Sequence, residues 1–352
     1  MALSKILTSS VADPVLQTNK NLIINGAMQV AQRGTSAVSV GSGTYRLDRF
    51  SVNKSNDGAY TVEQSTDAPT GFTTSLKAQV TTADTSLSAA QNAFIYQSIE
   101  AQNLQHLNYG TSDALTVTLS FWVKSSKTGV YTASLYKPDN TGYMFTQEYT
   151  ISSANTWEKK TITITPTAGG TSFITTSGGA IANDNGSGID VNFNLAFGST
   201  FNGGTSGSWS STTADYSTTN AVNWMDSTSN NFYLTGVQLE IGDATPFEHE
   251  DFGTTLAKCQ RYFTDFLLSA NNYMWCCVIT NTNTYRRASV TLPVQMRASA
   301  TGTIAGYTNG TFNTNYPLLE GNNFVQEVTI GGDVTATSAY AYFTKLQLDA
   351  EL

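Results

Sequence analysis

Short runs in which apolar and polar residues alternate occupy most of the chain. In "TVTLSFWVK", Val117, Leu119, Phe121 and Val123 fall on one side and Thr116, Thr118, Ser120, Trp122 and Lys124 on the other. That period of two predicts a strand with one buried face. "IDVNFNLAF" repeats it with Ile189, Val191, Phe193, Leu195 and Phe197, and "KTITIT" with Ile162 and Ile164. "FYLTGVQLEI" aligns Tyr233, Thr235, Val237, Leu239 and Ile241. Turn-forming clusters such as "PDNTG" (138–142), "TAGG" (167–170) and "NDNGSG" (183–188) separate the runs. "NLIINGAMQV" (21–30) reads as a strand pair turned at Asn25-Gly26, a step suited to a type I′ turn. "MWCCVI" (274–279) reads as a buried strand. Such strands, with almost no helical stretch, predict an antiparallel sandwich.

The period changes once. "FGTTLAKCQRYFTDF" spaces Phe252, Leu256, Cys259, Phe263 and Phe266 by four, three, four and three, one face of a short amphipathic helix. Alternation then resumes at Val290, Leu292 and Val294, and again from Tyr340 to Leu348. The expected organisation is all-β: an aperiodic arm over 1–20, a sandwich over 21–250, and a helical connector with a smaller C-terminal β domain over 251–352. One long Gly/Ser/Thr-rich loop, Gly198 to Trp224, interrupts the sandwich and carries Phe201, Trp209, Tyr216 and Trp224. Loops of that length are functional or disordered, and the aromatics favour an ordered one.

Composition narrows the function. Charged residues are 12% of the chain, about half the roughly 25% of an average soluble domain. Neutral polar side chains fill the surface, and salt does not screen them as it screens exposed ion pairs. With 18 basic and 26 acidic residues the net charge is -8. No basic stripe suggests nucleic acid. No apolar run nears the roughly 18 residues of a membrane span, so no membrane insertion is expected. "MALSKILTSSVADPV" lacks a signal-peptide core. The cysteines are odd in number, and Cys276 and Cys277 are adjacent, which favours reduced thiols. A hydrated surface of extracellular type, no export signal and reduced thiols together fit a protein made in a bacterial cytoplasm and released by lysis on a virus particle.

Catalysis finds little to build on. A Ser-His-Asp triad needs a histidine base, and only His106 and His249 exist, the latter inside "FEHED". No CxxC or HExxH occurs, which argues against zinc. Glu100, Glu148, Glu158 and Glu240 are scattered through expected strands. A glycan depolymerase built on two of them is the alternative to a protein that is not an enzyme. No cofactor is expected beyond a structural calcium ion, for which Glu240, Asp243 and the turn after Asn25 are the places to look.

Aromatic residues among amides and hydroxyls suit sugars, which offer C–H faces to rings and hydroxyls to Asn, Gln and Asp. The candidates are Trp209, Tyr216 and Trp224 in the long loop, and Tyr307, Phe312 and Tyr316 in "GYTNGTFNTNYPLLEGNN". The competing reading has these rings cap the core, fill a subunit interface or pin their own loop. Leu256, Phe263 and Phe266 are the candidates for an oligomer interface, with the connector lying along a three-fold axis.

"NLIINGAMQVAQRGTS", "YRLDRF", "QNLQHLNYG", "LTVTLSFWVKSSKTGVYTASL", "LTGVQLEIGDATPFEHEDFGTTLAKCQRYF", "VTLPVQMRASATGTI" and a terminal "LDAEL" occur in that order. Together they resemble the tail-fibre and receptor-binding virion proteins of tailed phages, over most of the chain after Asn21. The part through "TGVQLEIGD" is also similar to carbohydrate-binding modules of jelly-roll type. The resemblance implies a jelly-roll sandwich, a homotrimer, attachment to other virion proteins through the arm, and contact with a host-surface glycan or protein. It implies a short tail fibre or fibre tip, with a capsid or tail decoration that binds no receptor as the alternative. No catalytic motif or ligand residue travels with it.

Overall fold

A computed structural model describes residues 20–267, 285–305, 308–309, 318–320, 327–333, 341–342 and 345–352. The chain first runs through β1 (Val38–Ser39), β2 (Thr44–Tyr45), β3 (Ser51–Lys54), β4 (Ala59–Ser65), β5 (Ser75–Thr82), β6 (Asn92–Glu100), β7 (Val117–Ser125), β8 (Gly129–Lys137), β9 (Tyr143–Ile151), β10 (Glu158–Ile164), β11 (Ser187–Phe197), β12 (Ser208–Ser210) and β13 (Asn231–Ile241). These form a six-stranded sheet, β1-β4-β5-β13-β7-β10, and a seven-stranded sheet, β12-β9-β8-β11-β6-β3-β2. Every pairing in both is antiparallel. The two sheets pack as a jelly-roll-like sandwich. Leu119, Phe121 and Val123 from one and Ile95, Val191 and Phe193 from the other are fully enclosed between them. Phe121 meets Phe193 edge-on at 5.0 Å and Tyr149 at 5.1 Å, joining the sheets across the core.

Two bulges change faces that strict alternation predicts. In β13 the register slips between Thr235 and Gln238. Phe232 and Leu234 face the core before the slip, and Val237 and Leu239 after it. Tyr233 therefore lies outside, not in line with Val237. Gly236 makes the bulge with φ 59°, and a Cβ there would stand 2.7 Å from the Phe72 ring. In β11 the slip between Asn194 and Ala196 turns Ala196 inward and sends Phe197 to the outer face.

The opening stretch is not a strand pair. Residues 21–30 form turns, with Asn25 at φ 61° and Met28 at φ 58°. Gly26 is needed for proximity: an added Cβ would sit 2.1 Å from the Val237 carbonyl oxygen. The segment closes one end of the sandwich by bonding to both sheets. Leu22 N–H donates to the Leu239 carbonyl (2.9 Å), and the Ile24 backbone exchanges bonds with the Gln97 amide (2.8 and 2.9 Å). Asn25 holds the turn with bonds to Val30 and Asp48.

Helix α1 (Phe252–Gln260) is capped by Asp251, whose carboxylate accepts from Thr254 N–H at 3.0 Å. It is shorter than the apolar spacing predicts. Phe263 already belongs to β14 (Phe263–Leu267), so the expected five-residue helical face does not exist. Thr255 and Cys259 are the buried helix residues, and Phe252 is 55% exposed. The C-terminal strands are β15 (Tyr285–Thr291), β16 (Thr301–Ala305), β17 (Thr308–Asn309), β18 (Leu318–Glu320), β19 (Glu327–Asp333), β20 (Ala341–Tyr342) and β21 (Lys345–Asp349). They pair as β14-β21-β16, β15-β19-β18 and β17-β20. "MWCCVI" lies outside the described residues.

Charged side chains concentrate where these strands meet the sandwich. Arg49 is 2% exposed, bonds to Glu351 and to the Ser98 carbonyl (2.5 Å), and lies 3.5 Å from the Tyr262 ring centroid. Arg33 reaches Glu351 (3.3 Å) and Asp349 (2.9 Å) and covers the Phe263 ring at 3.5 Å. Arg261 bonds Glu100 through two nitrogens (3.0 and 2.9 Å). Phe263 is thus buried against its own chain and offers no oligomer surface. Leu256 is half-buried. Phe266 stands opposite Leu346 in β14, and its ring lies outside what the structure describes.

Candidate functional site

The outer face of the seven-stranded sheet carries the residues that alternate with its core positions. Cross-strand register arranges them in rows. The middle row is Tyr45, Ser51, Tyr96, Asn192, Ser134, Thr146 and Ser208. One flanking row is Ser98, Asp190, Tyr136, Met144 and Ser210. The other is Asn53, Phe94, Asn194, Thr132 and Glu148. With strands about 4.8 Å apart, the middle row extends roughly 29 Å. The sequence builds this face because "IDVNFNL" puts Asp190, Asn192 and Asn194 opposite its apolar set, and "AFIYQSI" does the same with Phe94, Tyr96 and Ser98.

The long loop folds onto one end of this face. Asn194 Nδ2 donates to the Tyr216 carbonyl (2.5 Å), Thr132 Oγ1 and Ser134 Oγ (both 3.1 Å). Thr146 Oγ1 bonds the Asp215 carbonyl. These bonds lay the Tyr216 ring flat on Phe197 (5.5 Å, 10° between planes) and 5.8 Å from Phe94. Phe94 is 5.4 Å from Tyr96. Phe94, Tyr96, Tyr136, Asp190, Phe197, Phe201 and Tyr216 are all half-buried, each with part of its surface open.

The electrostatics tie the open part together. Burial raises the Asp190 carboxyl above the usual range, against the Ser187 and Ser98 hydroxyls that stabilise its anion. Burial and the nearby Asp190 raise the Tyr136 phenol. Burial, then Asp190, Tyr136 and Tyr96, push Tyr216 up to about 12. Both shifted phenols are therefore neutral O–H groups at ordinary pH, able to donate or accept a hydrogen bond.

The candidate residues separate on this geometry. Tyr216 stands on the face. Trp209 and Trp224 do not: they are 2% and 0% exposed. Trp209 sits against Phe145 (5.5 Å) and donates its indole N–H to the Thr165 carbonyl at 3.0 Å. Trp224 meets Tyr60 edge-on at 5.4 Å. Large apolar rings in a polar loop are drawn into the core it borders, so neither is a platform for a ligand. Tyr307, Phe312 and Tyr316 lie outside the described residues. Sequence reasoning missed Phe94, Tyr96, Tyr136, Asp190, Asn192 and Asn194. The signal was the set of residues between the apolar positions, read only as solvent-facing.

Glu240 is 1% exposed, and its oxygens accept from Gln238 Nε2 (2.7 Å), Thr245 N–H (2.9 Å) and Thr245 Oγ1 (2.6 Å). They serve this turn and leave little for calcium. Among the described residues, no three of His, Cys, Asp and Glu gather in a metal-holding group. A cleft of about 960 Å³ lies between the opening stretch, β6 and α1, floored by Leu22, Ile24, Ile99, Leu115 and Ile241. Of its cations, Lys258 and Arg261 are paired with Glu250 and Glu100, and Lys20 donates to the Thr245 hydroxyl. Among the described residues, no helix is long and apolar enough to cross a membrane.

No family model matches the chain, and no curated protein does. Solved structures are similar at low identity. The enzymatically active domain of tailspike protein 4 from bacteriophage CBA120 is 14% identical with TM-score 0.32, covering 63% of this chain and 22% of that one. A family 11 carbohydrate-binding module from Clostridium thermocellum, in complex with a β-1,3-1,4-mixed-linked tetrasaccharide, is 10% identical with TM-score 0.30, covering 61% and 99%. The xylan-binding domain CBM22-1 of Paenibacillus barcinonensis Xyn10C is 11% identical with TM-score 0.26, covering 64% and 96%. At these scores the likeness extends to neither ligand nor assembly.

Proposed function

We propose that this chain is a structural protein of a phage particle, a short tail fibre or fibre tip, and that it binds a host-surface glycan through the outer face of its seven-stranded sheet. The observation that carries the binding role is the juxtaposition of Tyr96, Tyr136 and Tyr216 with Asp190, each with part of its surface open, on neighbouring strands and the loop bonded to them. Rings present apolar surface to C–H faces, and phenol and carboxylate groups match sugar hydroxyls. Strand backbones fix the spacing, which lowers the ordering cost of binding. The particle role is supported by the ordered series of phage-like sequence motifs and by the sparse charge. Residues 1–20 would serve attachment to the particle, and the assembly would be a homotrimer. The face would bind without cleaving, and the protein needs no cofactor for it.

The test uses purified full-length protein and polysaccharide from a susceptible host. Tyr96→Ala and Tyr136→Ala should each weaken binding about ten- to hundredfold while the fold survives. Wild-type affinity in both folded variants would refute the location. New reducing ends released at enzymatic rates would refute binding without cleavage.

A further inference from the structure

The charges around the face restrict which glycans it accepts; this rests on the binding face proposed above. In the three rows the ionisable acids are Asp190, near the centre, and Glu148, toward the β9 side. Neither Lys nor Arg stands in any row. Lys54 in β3 and Lys137 in β8, strands of the same sheet, have the opposite parity. Lys54 donates to the carbonyls of Asn56 (3.0 Å) and Gly58 (2.7 Å), and Lys137 to those of Gly178 (2.9 Å) and Ala180 (3.2 Å). Arg49 lies near Asp190 at the junction end but is enclosed and bonded to Glu351. Each of these cations is turned inward and occupied by protein acceptors.

The acids differ in how they are held. Glu148 accepts from Thr218 Oγ1 (2.6 Å) and Asn220 Nδ2 (3.0 Å) at the loop. Asp215, also in the loop, accepts from Ser210 Oγ at 2.6 Å. Asp190 accepts from Ser187 Oγ at 2.5 Å and sits between Ser98 and Tyr136 in its row. Its bonded partners are neutral, and Arg49, the cation that stabilises its anion from the junction end, is itself paired with Glu351, so much of its field over the face survives, and a half-buried setting screens it less than water does. A uronate, sialate or phosphate would add an anion with no unpaired cation on the face to receive it, and would be desolvated at a net loss. A neutral glycan brings hydroxyl donors from which the carboxylate can accept.

We infer that the face selects uncharged glycans over acidic ones and that Asp190 sets this discrimination. The test immobilises neutral glycans beside their uronate-, sialate- or phosphate-bearing counterparts and measures binding of the full chain at low and high salt. Acidic members should bind about tenfold more weakly than their neutral counterparts at low salt, with the gap narrowing as salt rises. Asp190→Asn, checked for an unchanged melting profile, should reduce the ratio of neutral to acidic binding several-fold. Equal or tighter binding of the acidic set, or a ratio unmoved in Asp190→Asn, overturns this inference and leaves the binding face standing. Binding to neither set overturns the face and the inference together.

Discussion

Glu351→Gln should destabilise the protein far more than a conservative change just beyond β21 would suggest. The Glu351 side chain is 6% exposed and the Arg49 side chain 1%. Removing the negative charge leaves the Arg49 guanidinium enclosed, with the Ser98 carbonyl and the Tyr262 ring as its remaining partners. It also weakens the hold on Arg33. Breaking a buried pair from one side costs about 3–5 kcal/mol, because a desolvated charge is left behind. Replacing both partners, with Arg49→Met and Glu351→Leu together, removes that stranded charge and should recover a large part of the loss. The assay is urea denaturation of the wild type, the two single variants and the double, analysed as a cycle. The reasoning requires a coupling of at least about 1 kcal/mol. A loss under about 0.5 kcal/mol in Glu351→Gln, or strictly additive single effects, would refute it.

Trp224→Ala should cost about 3–5 kcal/mol by emptying a core site. Trp224→Phe should cost much less, because the indole N–H has no hydrogen-bond acceptor among the described residues; equal losses in thermal melts would count against this. Asp48 is wholly buried, and burial pushes its carboxyl up to about 6 from 3.8, against Gln32 and Arg33. The folded state therefore binds that proton more tightly than the unfolded chain, and the Asp48 contribution to stability falls as pH rises from about 4 to about 6. Asp48→Asn should thus gain on the wild type by about 2 kcal/mol between pH 4 and pH 7. A difference that stays flat over that range in denaturation experiments would refute the assignment.

The sandwich was legible in the sequence because its strands are amphipathic, and a period of two survives wherever one face is buried. "TVTLSFWVK" and "KTITIT" bury the residues that their alternation selects. The reading failed where one extra residue changes parity. Gly236 in β13 and the slip before Ala196 in β11 look like unbroken alternation, and each moved an aromatic to the other face. The opening stretch misled because Asn-Gly is a hairpin signal only when flanking backbones pair with each other. Here they pair with β13 and Gln97 instead. The candidate face was half visible: Tyr216 drew attention as a ring in a polar loop. Tyr96 and Tyr136 did not, because tyrosine in a strand is ordinary, and only cross-strand register brings them beside Asp190 and Asn192. The phage-like motifs had a local meaning that no periodicity shows. Arg33, Arg49 and Glu351 come from three of them and meet in one place, where Tyr262 and Phe263 from a fourth lie against the two arginines.

That meeting place also sets an order of events during synthesis. Arg33 and Arg49 are separated from Glu351 by 318 and 302 residues. At about 5–20 residues per second, roughly 15–60 seconds pass between the ribosome adding the arginines and adding their partner. Until then, burying Arg49 would strand a charge in a low-dielectric seam, so the growing sandwich gains by keeping that edge hydrated and open. Closure waits for Glu351, and a chain truncated before that residue never receives the counter-charge.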